Sequence, residues 1–155
     1  MTTIGVISDT HGLMRPEATE ALTGSDMIVH AGDIGRPEIL EVLERIAPLK
    51  AIRGNVDKWA EHMRDTEIFE VDGRYFYVLH DVKELGLDPA SAEIDVVISG
   101  HSHKPGIRRD DGVLYLNPGS AGPRRFTLPI TLAKLTVTSD EIEAKIITLV
   151  QYDAD

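Results

Sequence analysis

The sequence predicts an α/β protein in which two sheets face each other with helices outside. Two observations lead there. Early in the chain, short apolar runs alternate with stretches of helical periodicity, the pattern of a parallel sheet with crossover helices. Later the helical periodicity stops, and β-rich runs separated by Asp-Gly turn signals follow one another. A third observation bears on function. Five polar motifs each stand just behind an apolar run, and ligand sites in α/β sheets form at the carboxyl ends of strands.

The elements follow in order. Residues 4–7 form a short apolar strand. Pro16 opens a helix that runs to about residue 22, since proline is tolerated in a first helical turn. Residues 27–29 form a second strand. Pro37 opens a clearer helix to about residue 46, with Ile39, Leu40, Leu43 and Ile46 on one face. Residues 49–52 form a third strand, and a helical turn or loop follows near 58–63. Runs at 67–71 and 75–80 flank Asp72-Gly73, a strong hairpin signal. Residues 95–99 make an apolar strand, and 108–116 contain a second hairpin at Asp111-Gly112. Long strands at 130–137 and 142–150 close the fold.

Composition narrows the function. The 155 residues are expected to form a single domain, 1–155, with 42% apolar and 27% charged residues, as in a soluble globular protein. No apolar run approaches the roughly 20 residues of a membrane span. Met1-Thr2-Thr3 leads directly into the first strand without a basic region, so no signal peptide is expected. The absence of cysteine excludes disulfides and thiolate metal sites and fits a cytoplasmic protein. Sixteen basic residues against 26 acidic ones give a net charge of −10. No basic cluster exceeds Arg108-Arg109 or Arg124-Arg125, so a polymeric nucleic acid is not the expected partner. A small phosphodiester or nucleotide-like substrate remains open, as does a homo-oligomer. Such a surface repels phosphates unless the site brings its own positive charge, which bound divalent metals would supply.

The motifs are Asp9-Thr10-His11, Gly32-Asp33, Gly54-Asn55-Val56-Asp57, His80 and Gly100-His101-Ser102-His103, and they hold four of the six histidines. Asp9 and His11 are two apart, so in extended backbone both face one side and can hold one ion. Alone, they read equally as a turn after a strand. His101 and His103 repeat the spacing behind Gly100. Asp33 can bridge two cations with its two oxygens, or cap the helix opened by Pro37. Asn55 alone reads as a turn residue, and His80 alone as structural. His30 sits in a buried-looking strand and reads as support for the site, while His62 reads as surface. Together the set offers two carboxylates, four imidazoles and one amide. Nitrogen and oxygen donors without sulfur suit Mn²⁺, Ni²⁺, Zn²⁺, Fe²⁺ or Co²⁺ rather than Ca²⁺ or Mg²⁺.

These residues resemble the calcineurin-like metallophosphoesterase family, whose pattern is DxH, GD, GNH, H and GHxH. Asn117-Pro118-Gly119-Ser120 looks like a further family turn. The short length and the Gly54-Asn55-Val56-Asp57 motif resemble the small bacterial and archaeal phosphodiesterase branch. The resemblance implies a four-layer αββα sandwich, two facing mixed sheets flanked by helices. It also implies two divalent metals, Mn²⁺ first among them. Asp9, His11 and His103 would hold one and Asn55, His80 and His101 the other, with Asp33 bridging. A hydroxide held between the metals would attack phosphorus, with Asp33, Asn55 and His80 at the reacting centre. Two departures stand out. Val56 replaces the usual acid histidine, which points to diesters rather than monoesters. Asp81 follows His80 where glycine is common. The alternatives are a phosphomonoesterase of the same family and a non-catalytic scaffold resembling a eukaryotic retromer subunit. Arg124 and Arg125, in a Gly- and Pro-rich stretch, are candidates for reaching the substrate phosphate.

Overall fold

The computed structural model describes residues 1–151. Two five-stranded mixed sheets stack face to face. The first contains β1 (Thr2–Ile7), β2 (Met27–His30), β3 (Leu49–Ala51), β9 (Ile130–Val137) and β10 (Ile142–Val150), in the order β10-β9-β1-β2-β3. The second contains β4 (Thr66–Val71), β5 (Arg74–Leu79), β6 (Val96–Ile98), β7 (Gly106–Asp110) and β8 (Val113–Asn117), in the order β4-β5-β6-β8-β7. Strands β1, β2 and β3 run parallel to one another, as do β5, β6 and β8, and the remaining pairings are antiparallel.

The period of two along each strand builds the layers. Ile4 and Val6 of β1, Phe76 and Val78 of β5, Leu114 and Leu116 of β8 and Ala133, Leu135 and Val137 of β9 meet between the sheets. Phe69 stacks on Phe76 there at 5.1 Å between ring centroids. Truncating the fully buried Phe76 to alanine would cost about 3–5 kcal/mol. The opposite face of the first sheet, Ile7, Ile28 and Leu132, packs under helices α1 (Pro16–Leu22) and α2 (Pro37–Ile46). Both helices start with proline, and Ile39 and Leu43 are the buried edge of α2, as its periodicity predicts.

Both Asp-Gly hairpins form as expected. Asp72 and Gly73 have φ of 50° and 79°, and Asp111 and Gly112 have 52° and 78°. Two successive residues with positive φ give the turn whose twist matches the flanking strands. The outer face of the second sheet departs from the αββα scheme. A one-turn 3₁₀ helix, Val82–Glu84, and the turns after it cover Tyr77, Leu79, Val97 and Val113 in place of full helices. Residues 58–63 form turns, within the helical turn or loop expected there. No described helix is long and apolar enough to cross a membrane.

Candidate metal centre

The six parallel strands set the site. Asp9 and His11 follow β1, Asp33 follows β2, Asn55 follows β3, His80 follows β5, and His101 and His103 follow β6. Asn117 ends β8. All six carboxyl ends lie on one rim of the sandwich, where loops from both sheets converge.

Five of the seven candidate ligands hold left-handed backbone. Asp9, His11, Asp33, His101 and His103 have φ of 56°, 45°, 56°, 69° and 63°. Such conformations are disfavoured for residues with a Cβ and concentrate at functional sites. The glycines of the motifs let the loops close. Gly32 has φ of 99°, and a Cβ there would lie 2.7 Å from His80 Nδ1. A Cβ on Gly100 would strike the Ser8 hydroxyl and approach Asp9 Oδ2 to 2.6 Å.

Each carboxylate spends one oxygen on its supports and turns the other toward the imidazoles. Asp9 Oδ2 accepts from Ser8 Oγ at 2.7 Å and from the His101 amide at 3.1 Å. Asp9 Oδ1 faces His103 Nε2 at 3.4 Å, and both His11 Nε2 and His80 Nε2 at 3.8 Å. Asp33 Oδ1 accepts from the Val56 amide at 3.1 Å. Asp33 Oδ2 faces His80 Nε2 at 3.1 Å and His11 Nε2 at 3.7 Å. The helix-cap reading of Asp33 is excluded, because Arg36 occupies the cap of α2.

Two groups result. Ligand-type atoms of Asp9, His11 and His103 lie within 4.8 Å of one another, and so do those of Asp33, His80 and His101. Asp33 Oδ2 sits beside histidines of both groups, the position a bridge needs, although Asp9 Oδ1 also reaches His80. Asn55 is exposed, makes no hydrogen bond to another described residue, and lines a pocket together with His80 and His101.

The residues fit divalent cations. Asp9 Oδ1, His11 Nε2 and His80 Nε2 are buried without a hydrogen-bond partner, although both nitrogens stand 3.8 Å from Asp9 Oδ1 and face Asp33. His103 Nδ1 is unpaired on the other side of its ring from the Nε2 that faces Asp9. Buried polar atoms are nearly always paired, and each orphan costs about 1–3 kcal/mol. Three unpaired atoms facing one another, all nitrogen or oxygen, are the donor set a cation would satisfy. His80 shows the same logic. Its Nδ1 donates to the Ala31 carbonyl at 2.7 Å, which turns the Nε2 lone pair toward two carboxylates. In the metal-free protein a proton takes that place. Burial depresses the His80 pKa, but Asp33, the Ala31 carbonyl and Asp9 outweigh it and raise the value to about 9. Burial also works to raise both carboxyl pKa values. His103, Ser8 and His80 around Asp9, and His80, the Val56 amide and His11 around Asp33, reverse that and lower them.

His30 supports the site from behind. It is fully buried, and burial pushes its pKa down to about 4. Thr10 Oγ1 donates to the Ile34 carbonyl at 2.8 Å, so it accepts from His30 Nε2 at 3.0 Å, while His30 Nδ1 accepts from the Gly32 amide at 3.1 Å. A neutral imidazole with its proton on Nε2 is therefore fully satisfied, and no face of it is open to substrate. His62 is exposed, as expected.

Two contributors were not legible as such. Asp57, 1% exposed, accepts three backbone amides: Ile34 at 3.0 Å, Gly35 at 2.9 Å and Gly54 at 2.8 Å. It ties the Asp33 loop to the Asn55 loop. Arg53, directly before Gly54-Asn55, lines the pocket beside Asn55 and pairs with Asp65 at 2.6 Å. Its position next to a motif was the only signal. The Asn117 turn joins the sheets. Asn117 Nδ2 donates to the Gly100 carbonyl at 3.0 Å, and Ser120 Oγ donates to the Asp9 carbonyl at 3.0 Å. Arg124 and Arg125 are exposed on the loop between β8 and β9.

A site of this construction defines a metal-binding phosphoesterase, and the comparisons agree. Residues 2–140 match the calcineurin-like phosphoesterase superfamily domain, and the chain belongs to that family. It is 35% identical to a probable metallophosphoesterase of Methanothermobacter thermautotrophicus, covering 93% of this chain and 91% of the relative. Among solved structures, it is similar to a novel archaeal phosphodiesterase, with a TM-score of 0.76, 26% identity and coverage of 94% and 99% of the two chains. Vps29 of Chaetomium thermophilum shares the fold, with a TM-score of 0.80 at 16% identity and coverage of 95% and 96%.

Proposed function

We propose that this protein is a cytoplasmic phosphodiesterase that hydrolyses a P–O bond of a small diester with two divalent ions, Mn²⁺ first among them. The reading rests on one observation above others: two carboxylate–imidazole groups stand side by side, with Asp9 Oδ1, His11 Nε2 and His80 Nε2 buried and unpaired between them. Asp9, His11 and His103 would hold one ion. His80, His101 and the free amide of Asn55 would hold the other, and Asp33 would lie between. Ions so held lower the pKa of water and offset charge on the phosphoryl oxygens.

The chain's own groups do the rest. Asn55, exposed at the rim, is placed to donate to a phosphate oxygen. The Ala31 carbonyl fixes the His80 ring, and the Val56 amide fixes Asp33, so neither need reorient during turnover. Diesters are favoured because the Val56 side chain, 43% exposed, cannot protonate a leaving alkoxide. His30 cannot substitute, being neutral and sealed behind Thr10. The similarity to an archaeal phosphodiesterase supports the same preference.

The test compares bis(p-nitrophenyl) phosphate with p-nitrophenyl phosphate before and after chelation. The expected result is diester turnover that vanishes on chelation and returns with Mn²⁺. Turnover that survives exhaustive chelation, or a clear preference for monoesters with poor leaving groups, contradicts the reading.

A further inference from the structure

Beside the centre lies an open pocket of about 340 Å³ whose outer walls take no part in holding the ions. Asn55, His80 and His101 form its inner end, where it meets the centre. A phosphate engaged at the centre would have this space open to one of its ester substituents. Tyr77 and Leu79 give the pocket an apolar side.

Its charge is lopsided. Away from the inner end, Asp65, Asp81 and Glu84 line it against one basic side chain, Arg53. Asp65 and Arg53 neutralise each other through their 2.6 Å contact. Asp81 Oδ1 accepts from the Lys83 amide at 3.1 Å, and its Oδ2 stands 3.9 Å from His101 Nε2. The exposed Glu84 carboxylate makes no hydrogen bond or ion pair with any described residue. A substituent carrying a further phosphate, reaching past the inner end, would meet two carboxylates with no spare Lys or Arg among the lining residues. An alkylammonium would meet those carboxylates and an aromatic wall, both favourable to it.

We propose that this pocket is the substituent subsite of the enzyme and selects an ammonium-bearing group, so that its preferred substrates are zwitterionic phosphodiesters. The proposal rests on the phosphodiesterase reading and adds the substrate class to it. In hydrolysis, water adds to phosphorus, one P–O ester bond breaks, and the departing oxygen leaves as alkoxide or phenolate. The ammonium arm stays unchanged and serves only to position the diester.

Two probes with the same leaving group separate charge from shape: p-nitrophenyl phosphorylcholine and the isostere that lacks its ammonium charge, p-nitrophenyl 3,3-dimethylbutyl phosphate. Exposed ion pairs each contribute up to roughly fivefold, so two carboxylates predict about a tenfold preference in kcat/KM for the choline ester. The preference should shrink with rising salt. It should collapse toward unity in the Asp81→Asn/Glu84→Gln double variant and reverse in Glu84→Lys. Equal kcat/KM for both esters in the Mn²⁺-loaded wild type overturns the subsite and leaves the phosphodiesterase reading standing. A preference that persists in the double variant also overturns it. Failure of the loaded enzyme to cleave either ester removes both.

Discussion

Replacing Asp57 by asparagine should damage the site without touching any proposed ligand. The carboxylate accepts three amides, two at Oδ2 and one at Oδ1. An asparagine side chain has one acceptor oxygen and one NH₂. In either orientation the NH₂ opposes at least one buried backbone donor. Bonds to a charged acceptor contribute about 1.5–3 kcal/mol each, and an unsatisfied buried donor costs about 1–3 kcal/mol. The loss should therefore be about 2–4 kcal/mol, which lowers Tm by roughly 4–16 °C in a chain of this size. The damaged bonds hold Ile34, Gly35 and Gly54, next to Asp33 and Asn55. Metal affinity should fall about 10–100-fold, as it does when residues supporting ligands are changed. Thermal melts monitored by circular dichroism and Mn²⁺ titration calorimetry measure the two effects. A Tm within a degree of wild type together with unchanged affinity would refute the assignment of Asp57 as the tie between the two loops.

Three further outcomes follow from the same geometry. In the metal-free protein, His30 binds protons only below about pH 4, against 6.5 when unfolded, so stability should fall by up to about 3 kcal/mol as pH drops from 6.5 to 4. His80, raised to about 9, acts in a different window: its contribution is complete below 6.5 and is lost as pH climbs through 9. Urea melts across pH should show maximal stability near 6.5, with a flatter acid limb in His30→Asn; an acid limb identical in both proteins would remove the His30 assignment. Asp33→Ala should fold and lose nearly all diester turnover along with metal occupancy, checked by elemental analysis and kinetics, whereas normal occupancy and rates would deny it the bridging position. Val56→His should raise monoester relative to diester turnover by about tenfold or more, since positioned acids contribute roughly 10²–10⁴-fold. Matched assays at several pH values decide this, and an unchanged ratio would count against the account of Val56.

Where the sequence was legible, local chemistry dictated the structure. Asp72-Gly73 and Asp111-Gly112 specify their turns through backbone freedom alone, and Pro16 and Pro37 open the helices where their fixed φ fits. The candidate ligands were legible because metal chemistry restricts residue types and spacing, and the strand ends carried them to one rim. What depended on distant pieces of chain meeting was not legible. Asp57 reads as one more acid after a glycine turn until Ile34, Gly35 and Gly54 are folded around it. Arg53 and Asp65 become an ion pair only because the chain turns back on itself between β3 and β4. Asp81 was visible as an irregularity, yet its contacts with Lys83 and His101 are tertiary facts. The outer layer over β5, β6 and β8 carries too little helical periodicity to form more than one 3₁₀ turn, so that layer of the sandwich is thin.

The two adjacent carboxylate–imidazole groups are proposed to hold one divalent ion each. Anomalous X-ray scattering from crystals of the Mn²⁺-loaded protein tests this directly. The account predicts two peaks, one among Asp9, His11 and His103 and one among Asn55, His80 and His101, with Asp33 between them. A single peak, or peaks away from these residues, would contradict it.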